Sequence, residues 1–436
     1  SEYSYRELQE QSTSLADALA TRGIQRGDRV AVYMDNTWPC VVSLFAIAKA
    51  GGVFLLINPQ TKTDKLAYIL NDSEATVLLT DGHLSSVFIA ALDSCLAIKA
   101  VICSGKLSER ITLKSKLTTF SAALLERPLP DNSSTNQPFI KPIIANDLCA
   151  LIYTSGSTGN PKGVMHTHQS MVFTIGSLVQ YLRLSSKDKI LNVLPLAFDY
   201  GLYQLLMSVW LGATLVLERS FTYPAQILSR ISEYQVTVFP GVPTIYALLL
   251  ASHSRKPLCL PSITRVTNTA AALSPELLPA IKAIFPNALI YKMYGLTECK
   301  RVCYLEPELI DTHPSSVGRA IPGTEVYLRN EQGTRIPPGG EGILHVRGPH
   351  LMRGYWKQPE LSEKMLLDTV IPGEFELCTH DWFRMDNEGL LYFLGRKDDI
   401  IKTRGEKVSP IEVENALLSI DGIHEAAVVG IPDPLL

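Results

Sequence analysis

The sequence YTSGSTGNPKGV at residues 153–164 is the stretch that decides the fold. Its hydroxyl and backbone N–H groups can donate hydrogen bonds to phosphate oxygens, and its glycines let the backbone approach a ligand closely. Lys162 adds the positive charge that a polyphosphate requires nearby. Apolar residues 148–152 precede the stretch, and a helical pattern starts near His166. The sequence therefore predicts a strand, a phosphate-binding loop and then a helix.

Two other interpretations of this stretch fit less well. A Walker A loop requires Gly, four residues and then Gly-Lys-Ser/Thr. Here Pro161 follows Gly156 after the four intervening residues, and Val164 follows the Lys-Gly pair. A flexible Ser/Gly surface linker is the simplest alternative. Because linkers rarely stand between an apolar strand and an apolar helix, the phosphate-binding interpretation is favoured.

Composition limits the possible classes of protein. A chain of 436 residues is too long for one simple core and predicts two or more subdomains. The net charge of −3 argues against a nucleic-acid-binding protein. The longest apolar run, residues 41–57, is interrupted by Lys49 and two glycines, which indicates a buried helix and a strand rather than a membrane span. We therefore expect no membrane association. The scattered cysteines lack a CxxC pair, so we expect reduced thiols and a cytoplasmic protein.

Strand-like and helix-like segments alternate along most of the chain. This rhythm predicts a mostly parallel sheet with helices on its faces. Short strands between Gly and Pro turns at 315–395 predict a small β-rich subdomain. The other expected segments are helices at 5–22, 39–50, 63–71, 85–93 and 409–419, strands at 29–34, 53–57, 76–80 and 99–103, and an exposed connector at 126–143.

Two further motifs carry groups that suit a nucleotide. Residues 293–298 read MYGLTE after an apolar strand, and ligands of open parallel sheets bind at such strand ends. There Tyr294 could stack on adenine, Thr297 could donate to a phosphate or simply cap a helix, and Glu298 could hold Mg²⁺. Asp381 could accept both ribose hydroxyls, although a surface ion pair with Arg396 is the plainer alternative.

The series TSGSTG-x-PKG and YGLTE resembles the signatures of adenylate-forming enzymes: acyl-CoA synthetases, luciferases and the adenylation domains of nonribosomal peptide synthetases. The resemblance spans nearly the whole chain. It implies an α/β fold with a large N-terminal domain at 1–397, built from α/β subdomains at about 1–145 and 146–313 and a β-rich subdomain at 314–397. The start of a small α+β lid domain would follow at 398–436, with Asp398 as the hinge.

The resemblance also assigns site residues. It makes Lys162, Thr297 and Glu298 catalytic, with Glu298 as the Mg²⁺ ligand. The family usually has Thr-Gly-Asp where this chain has Thr379-His380-Asp381, which puts the local backbone in question. The usual catalytic lysine would lie beyond Leu436, so we expect residues 1–436 alone to adenylate poorly. The implied ATP-binding residues are Thr154, Ser155, Gly156, Ser157, Thr158, Gly159, Lys162, Ala271, Ala272, Tyr294, Gly295, Leu296, Thr297, Asp381 and Arg396.

Phe198 and Asp199 indicate the substrate class. Amino-acid-activating members of the family carry a Phe-Asp pair here, and the aspartate pairs with the substrate α-ammonium. The alternative is that Asp199 only N-caps the following helix. The resemblance places Tyr203, Pro240, Thr269, Met293, Arg301 and Val302 along the acid pocket, which is mostly apolar.

The segment around Asp199 is most similar to stand-alone prolyl-adenylating ligases. We therefore expect ATP- and Mg²⁺-dependent activation of an amino acid such as L-proline as acyl-AMP. The acyl group would then pass to the phosphopantetheine thiol of a separate acyl or peptidyl carrier protein. The alternatives are an acyl-CoA ligase for a fatty or aryl acid and a nucleotide-binding protein without activity.

Overall fold

Parallel strands alternate with helices from the start of the chain, as the sequence predicts. A computed structural model describes residues 1–107, 116–126, 142–154, 160–397, 401–403, 406–418, 420, 422–423 and 425–431. The chain divides into a first unit (1–176, 185–223 and 352–359) and a second unit (177–184, 224–351 and 360–436). The domain boundaries expected at 145, 313 and 397 stay predictions.

Helices and strands of the first unit follow one another in βα order. They are α1 (Tyr5–Thr21), β1 (Arg29–Tyr33), α2 (Trp38–Lys49), β2 (Val53–Ile57), α3 (Thr63–Asp72), β3 (Val77–Asp81), α4 (Ser85–Leu92), β4 (Ala100–Ser104), β5 (Lys116–Thr119), α5 (Phe120–Leu125), β6 (Leu148–Thr154), β7 (Lys162–Thr167), α6 (His168–Tyr181), β8 (Lys189–Asn192), α7 (Asp199–Leu211) and β9 (Thr214–Leu217). Helix α6 ends in the second unit.

The main sheet of the first unit has the strand order β5-β4-β3-β1-β2-β6-β7. Strand β1 pairs in parallel with β2 and β3, and every residue of β2 and β3 is buried. Such continuous apolar runs fit a sheet that is covered on both faces. Helix α1 begins with a capping box between Ser4 and Glu7, and Gly23 follows it at φ +83°. Strands β8 and β9 of this unit also pair in parallel.

The second unit combines a parallel part with a β-rich part. Its elements are α8 (Pro224–Tyr234), β10 (Val238–Gly241), α9 (Pro243–Arg255), β11 (Arg265–Asn268), α10 (Leu278–Ile284), β12 (Leu289–Tyr294), β13 (Cys303–Tyr304), β14 (Arg319–Ala320), β15 (Glu325–Arg329), β16 (Arg335–Ile336), β17 (Glu341–Arg347), α11 (Pro359–Met365), β18 (Leu366–Asp368), β19 (Phe375–Met385), β20 (Leu391–Arg396), β21 (Ile401–Thr403), β22 (Glu406–Val408) and α12 (Pro410–Leu418).

Strands β10, β11 and β12 of the second unit are parallel neighbours, and β13 and β14 extend them in antiparallel fashion. The β-rich part has the order β16-β15-β17-β19-β18, with β20 also paired to β19. Strands β21 and β22 form a hairpin. The α/β fold class and the β-rich region are therefore confirmed.

The structure bears only in part on the expected absence of a membrane span and on the expected connector. In the described ranges no helix is both long and apolar enough to cross a membrane. The cytoplasmic location stays a prediction. The connector expected at 126–143 lies largely outside the described residues, because 127–141 are not among them.

Candidate active site

The phosphate-loop motif lies in a β-hairpin, which corrects the prediction of a strand, a loop and then a helix near His166. Strand β6 ends at Thr154, and antiparallel β7 begins at Lys162, its register partner. Helix α6 starts only at His168, after β7. The prediction was wrong because β7 is defined by pairing with β6, while its burial pattern has no clean alternation. Thr154 and Lys162 thus stand opposite each other at the two ends of the hairpin loop; residues 155–159 lie outside the described ranges.

Tyr294 and Glu298 lie at the carboxyl end of β12. Tyr294 is the last residue of the strand, and residues 296–299 form a turn rather than a helix, so Thr297 caps no helix there. The turn is held by the hydrogen bond from the Lys300 amide to the Leu296 carbonyl (2.6 Å). A Cβ on Gly295 would lie 2.3 Å from the Lys300 carbonyl oxygen, so only glycine fits this turn.

The residue that closes this turn, Lys300, is a buried lysine. The Lys300 side chain is 1% exposed, and its Nζ donates to the His350 carbonyl at 3.1 Å. Burial and the nearby Lys300 charge lower the pKa of His350 to about 3. His350 is therefore neutral at physiological pH and can stay buried beside an ammonium group.

Asp381 is the centre of a cluster of three predicted nucleotide-binding residues. The Tyr294 hydroxyl donates to its Oδ2, and Arg396 Nε lies 3.1 Å from its Oδ1. Asp381 is 3% exposed, whereas the Arg396 side chain is 65% exposed. Burial raises the pKa of Asp381, and the Tyr294 hydrogen bond and the Arg396 charge act against that rise. The structure thus brings the two motifs of this unit together around one buried carboxylate.

The Tyr294 ring packs among aromatic side chains of the β-rich sheet. It meets Phe383 edge-on, with ring centroids 4.9 Å apart, and lies nearly parallel to Phe393 at 6.0 Å. Burial and the adjacent Asp381 charge raise the pKa of Tyr294 well above its usual value, so the phenol stays protonated and can donate. Stacking of this ring on adenine stays a prediction.

His380 occupies a backbone position that normally favours glycine. Its φ is +57°, and it lies where the pairing of β19 with β17 shifts register between Cys378 and Trp382. The Asp381 amide donates to Thr379 Oγ1 at 3.1 Å, which fixes the backbone on the other side of His380. The exchange of Gly for His therefore preserves the left-handed turn that aims Asp381, at a cost of roughly 1–2 kcal/mol for a residue with a Cβ.

Asp199 is the first residue of α7, and the preceding Phe198 is the N-cap residue. The interpretation of Asp199 as an N-cap is therefore wrong by one position. The half-buried carboxylate instead stands in the first helical turn, where the helix dipole favours a negative charge. A Cβ on Gly201 would lie 2.3 Å from the Pro195 carbonyl, so glycine lets the loop before α7 pass close to the helix.

The other predicted substrate residues fall into two groups. In the second unit, Pro240, Thr269 and Met293 lie at or just beyond the carboxyl ends of adjacent parallel strands, where such sheets bind ligands. In the first unit, Tyr203 is fully buried in α7, and its hydroxyl donates to the Met171 carbonyl at 3.4 Å. Their roles in acid binding stay predictions.

Arg301 and Val302 lie in the segment that returns from the turn after β12. Arg301 is 3% exposed, and its Nη1 donates to the Lys300 carbonyl at 2.7 Å. Val302 is fully buried, and its amide donates to the Tyr294 carbonyl at 3.0 Å. At least one of the Arg301 donors is thus directed at the protein backbone.

The predicted ATP-binding residues Ala271 and Ala272 are exposed in the loop after β11. The Asn268 side chain donates to the Ala271 carbonyl at 2.9 Å, and Ala270 has a positive φ of +74°. A side-chain hydrogen bond of this kind fixes a loop without secondary structure.

Glu298 is the residue that the sequence predicts as the Mg²⁺ ligand. It is half-buried in the turn after β12 and close enough to Asp381 to raise the pKa of that carboxyl. Carboxylate oxygen is the ligand type that Mg²⁺ prefers. The role of Glu298 as a metal ligand stays a prediction.

A different group of metal-ligating side chains, Asp35, Asp81 and His83, occurs among the described residues of the first unit. His83 Nε2 lies 3.2 Å from Asp35 Oδ2, and Arg219 Nη1 lies 3.9 Å from the same oxygen. Because Asp35 already has a histidine and an arginine of the protein as partners, we assign no ion to this group.

Sequence reasoning missed one contact at the phosphate-loop hairpin. Lys162 Nζ lies 5.3 Å from the ring centroid of Tyr355, a residue that no sequence motif assigned to the site. The signal in the sequence was the Tyr355-Trp356 pair, two aromatic residues between a Gly and a Lys. Asp398, the predicted hinge, lies outside the described residues.

Comparison with known proteins agrees with these motifs. A family model described as AMP-binding enzyme matches residues 1–356. The chain is 30% identical over 433 residues to feruloyl-CoA synthase from an Amycolatopsis species, covering 99% of this chain and 81% of that protein. It is 31% identical over 441 residues to a long-chain-fatty-acid–CoA ligase of Bacillus subtilis (strain 168), covering 96% of this chain and 76% of that protein. It is also 30% identical over 433 residues to tyrocidine synthase 2 of Brevibacillus parabrevis, covering 98% of this chain but spanning only 11% of that protein.

Solved structures extend the similarity to the fold. The anthranilate CoA ligase AuaEII in complex with anthranoyl-AMP has a TM-score of 0.86 at 27% identity, covering 98% of this chain and 79% of that one. ATP-bound MatB from Rhodopseudomonas palustris has a TM-score of 0.83 at 26% identity, covering 99% and 80%. VinN in complex with L-aspartate has a TM-score of 0.75 at 29% identity, covering 90% and 92%. The chain belongs to the AMP-binding enzyme family and is an ATP-dependent, adenylate-forming ligase that uses Mg²⁺.

Proposed function

We propose that this ligase activates an amino acid, and that Asp199 binds the α-ammonium group of the substrate. The observation that carries the proposal is a half-buried carboxylate in the first turn of α7, where the helix dipole favours a negative charge. A partly buried carboxylate is a strong acceptor for an ammonium donor. The likeness to VinN, which has been solved with L-aspartate, supports an amino acid as the substrate.

The chemistry needs alignment more than covalent help from the protein. The substrate carboxylate attacks the α-phosphorus of ATP, the bond to the bridging oxygen breaks, and pyrophosphate leaves with its electrons. Thr154 and Lys162 would face the β- and γ-phosphates, while Asp381 would accept the ribose hydroxyls. Mg²⁺ bound by Glu298 would neutralise the charge that develops on the phosphates. Bringing two anions together in this way is electrostatic and positional catalysis.

The acceptor of the acyl group is the second part of the proposal. We propose the phosphopantetheine thiol of a separate carrier protein, with L-proline as the first amino acid to test. A second candidate is a CoA ligase for an aryl or fatty acid. It is supported by the similarity to feruloyl-CoA synthase and to the long-chain-fatty-acid–CoA ligase. The two candidates differ in whether the substrate carries an ammonium group.

A matched pair of acids tests the role of Asp199. L-Proline and cyclopentanecarboxylic acid have similar ring shapes, but only proline carries an ammonium group. In ATP–pyrophosphate exchange with the full-length protein, we expect activity with an amino acid and little with its deaminated twin. Asp199→Asn should lower kcat/KM for the amino acid by about 10- to 100-fold, because a charged hydrogen bond is lost. Other amino acids and their deaminated twins extend the pair.

The same assay separates the candidates. Equal effects of Asp199→Asn on both acids of a pair would remove Asp199 from ammonium recognition. Exchange with benzoate or octanoate alone would favour the CoA ligase. Asp188→Asn is the control. Asp188 is a buried aspartate of the same unit, but it lies before the amino end of β8, whereas Asp199 follows the carboxyl end of that strand.

A further inference from the structure

The last strand of the first sheet does not have a free edge beside Lys162. Residues 353–356 run antiparallel along β7 and pair with it through the backbone. The Arg353 amide donates to the Met165 carbonyl at 2.9 Å, and the Met165 amide donates to the Gly354 carbonyl at 3.0 Å. Next to Lys162, the Trp356 amide donates to the Gly163 carbonyl at 2.8 Å. This short segment therefore fixes the backbone of β7 up to the residue that follows Lys162.

Side chains tie strand β6 and the 353–356 segment to one residue of α3. The Tyr153 hydroxyl donates to Asp72 Oδ2 at 2.6 Å, and the Trp356 indole N–H donates to the Asp72 carbonyl at 3.0 Å. A Cβ on Gly163 would lie 3.1 Å from the Tyr153 ring and 3.3 Å from Trp356. Glycine at this position lets the two aromatic side chains pack closely against the backbone of β7.

Tyr355 occupies the position from which a ring can hold the Lys162 side chain. It is 4% exposed and forms a β-bridge with Val164, so its backbone is fixed relative to β7. Lys162 Nζ lies 5.3 Å from the ring centroid, within the range of a cation–π contact. A lysine has a flexible four-carbon stem, so a ring that limits its positions reduces the entropy lost when a ligand binds.

We propose that Tyr355 is a positioning residue that holds the Lys162 ammonium beside the start of β7 by a cation–π contact. Residues 353–356 supply the rigid backbone that keeps the ring beside β7. The inference rests on the proposed function in one respect, namely that Lys162 contacts the ATP polyphosphate. It adds a residue that the sequence motifs did not assign and that acts on ATP through Lys162.

Stepwise fluorination of the ring tests the proposal without changing its shape. Tyr355 is replaced by phenylalanine and by mono-, di- and trifluorinated phenylalanines, and the Kd for MgATP is measured by calorimetry. We expect phenylalanine to match the wild type within about twofold and the trifluorinated ring to weaken binding by about five- to thirtyfold. The melting temperature should stay constant along the series, because the volume of the ring hardly changes.

The Lys162→Met variant separates failure of this inference from failure of the proposed function. In that background, fluorination should leave the Kd unchanged, because the cation is gone. A Kd that is independent of fluorination in the wild-type background, while Lys162→Met weakens binding, would overturn the positioning role. A melting temperature that falls with fluorination in both backgrounds would also overturn it in favour of packing. An unchanged Kd in Lys162→Met itself would refute the role of Lys162 in the proposed function.

Discussion

The phosphate-loop hairpin and the Asp381 cluster carry the predicted ATP-binding groups in different ways. The hairpin positions Lys162 by backbone pairing, with β6 on one side and residues 353–356 on the other. The cluster positions Asp381 by side chains, with the Tyr294 hydroxyl on one oxygen and the Arg396 guanidinium on the other. The hairpin keeps its charge half-exposed, whereas the cluster buries a carboxylate.

This difference has a thermodynamic consequence. A half-exposed ammonium retains much of its hydration, so removing it changes the stability of the fold little. A buried carboxylate loses hydration, and its partners only partly offset that loss, which is why burial raises the pKa of Asp381. We therefore expect that removing the Lys162 charge weakens ATP binding and leaves the stability of the fold nearly unchanged. Removing the Asp381 charge should weaken ATP binding but increase stability, a trade-off that is common at functional sites.

Asp381→Asn should have the largest effect and tests the opposition directly. We expect the Kd for MgATP to rise by about 10- to 100-fold, because a charged acceptor is lost. Since the pKa of Asp381 is raised by folding, the wild type gains stability below the unfolded pKa and loses it as the pH rises through the folded pKa. Asparagine lacks this dependence.

The melting temperature of Asp381→Asn should therefore exceed that of the wild type at neutral pH. This difference should shrink as the pH falls. Calorimetric scans at several pH values measure it. A variant that is less stable than the wild type at neutral pH would contradict the account of the cluster.

Lys162→Met is the corresponding change in the hairpin. We expect weaker MgATP binding, as for Asp381→Asn, but a change in the free energy of unfolding of less than about 1 kcal/mol, because backbone pairing stays intact. Denaturant unfolding and calorimetric titration of the same samples measure both quantities. A large loss of stability would show that the hairpin depends on this side chain, and the contrast with the cluster would disappear.

Tyr294→Phe sharpens the comparison through pH dependence. The Tyr294 hydroxyl donates to Asp381 and holds its pKa down against burial, so its removal should raise the pKa of Asp381 further. MgATP binding that requires an ionised Asp381 is lost as the pH falls through that pKa. The midpoint of the loss should therefore move to higher pH in the variant.

Tyr392→Phe is the matched control for this change. Tyr392 donates to Asp386 at 3.1 Å, so it is also a tyrosine–carboxylate pair in the β-rich region. Titrating the Kd of both variants from acidic to neutral pH should move only the Tyr294→Phe midpoint. Superimposable profiles of Tyr294→Phe and the wild type would exclude the proposed hydrogen bond as a determinant of Asp381 ionisation.

The smallest effect is expected at His380, where the cluster depends on the backbone. Because His380 has φ +57°, His380→Gly should raise the free energy of unfolding by up to about 1 kcal/mol, and His380→Val should lower it by about the same amount. MgATP affinity should stay within about twofold in the glycine variant, since the turn is kept. A glycine variant no more stable than the valine variant would show that the left-handed backbone carries no strain.

Local patterns in the sequence predicted most of the fold. The helices and strands up to residue 104 follow from apolar periodicity and from capping residues such as Ser4, which act within a few positions along the chain. Strand β7 was missed because its structure comes from pairing with β6 and with residues 353–356, and periodicity does not report such pairing. The alternative role of Asp199 as an N-cap was wrong by one residue, because α7 already begins at Asp199.

The sequence identified the groups of the candidate site better than their neighbours. Motifs indicated Lys162 and Asp381 because hydroxyls, glycines and charges at close spacing suit a nucleotide. The contact of Lys162 with Tyr355 joins residues that are far apart in the chain, so the Tyr355-Trp356 pair alone could not indicate which cation it contacts. At His380 the sequence departs from the family pattern, which has glycine there. The positive φ of His380 explains why glycine suits this position.

ATP–pyrophosphate exchange with the full-length protein tests the central claim most directly. The acids to compare are L-proline, other amino acids, their deaminated analogues, benzoate and octanoate. We predict exchange that depends on MgATP and on an acid with an α-ammonium group. Exchange supported equally well by deaminated acids, or by benzoate and octanoate alone, would contradict the proposal that this ligase activates an amino acid.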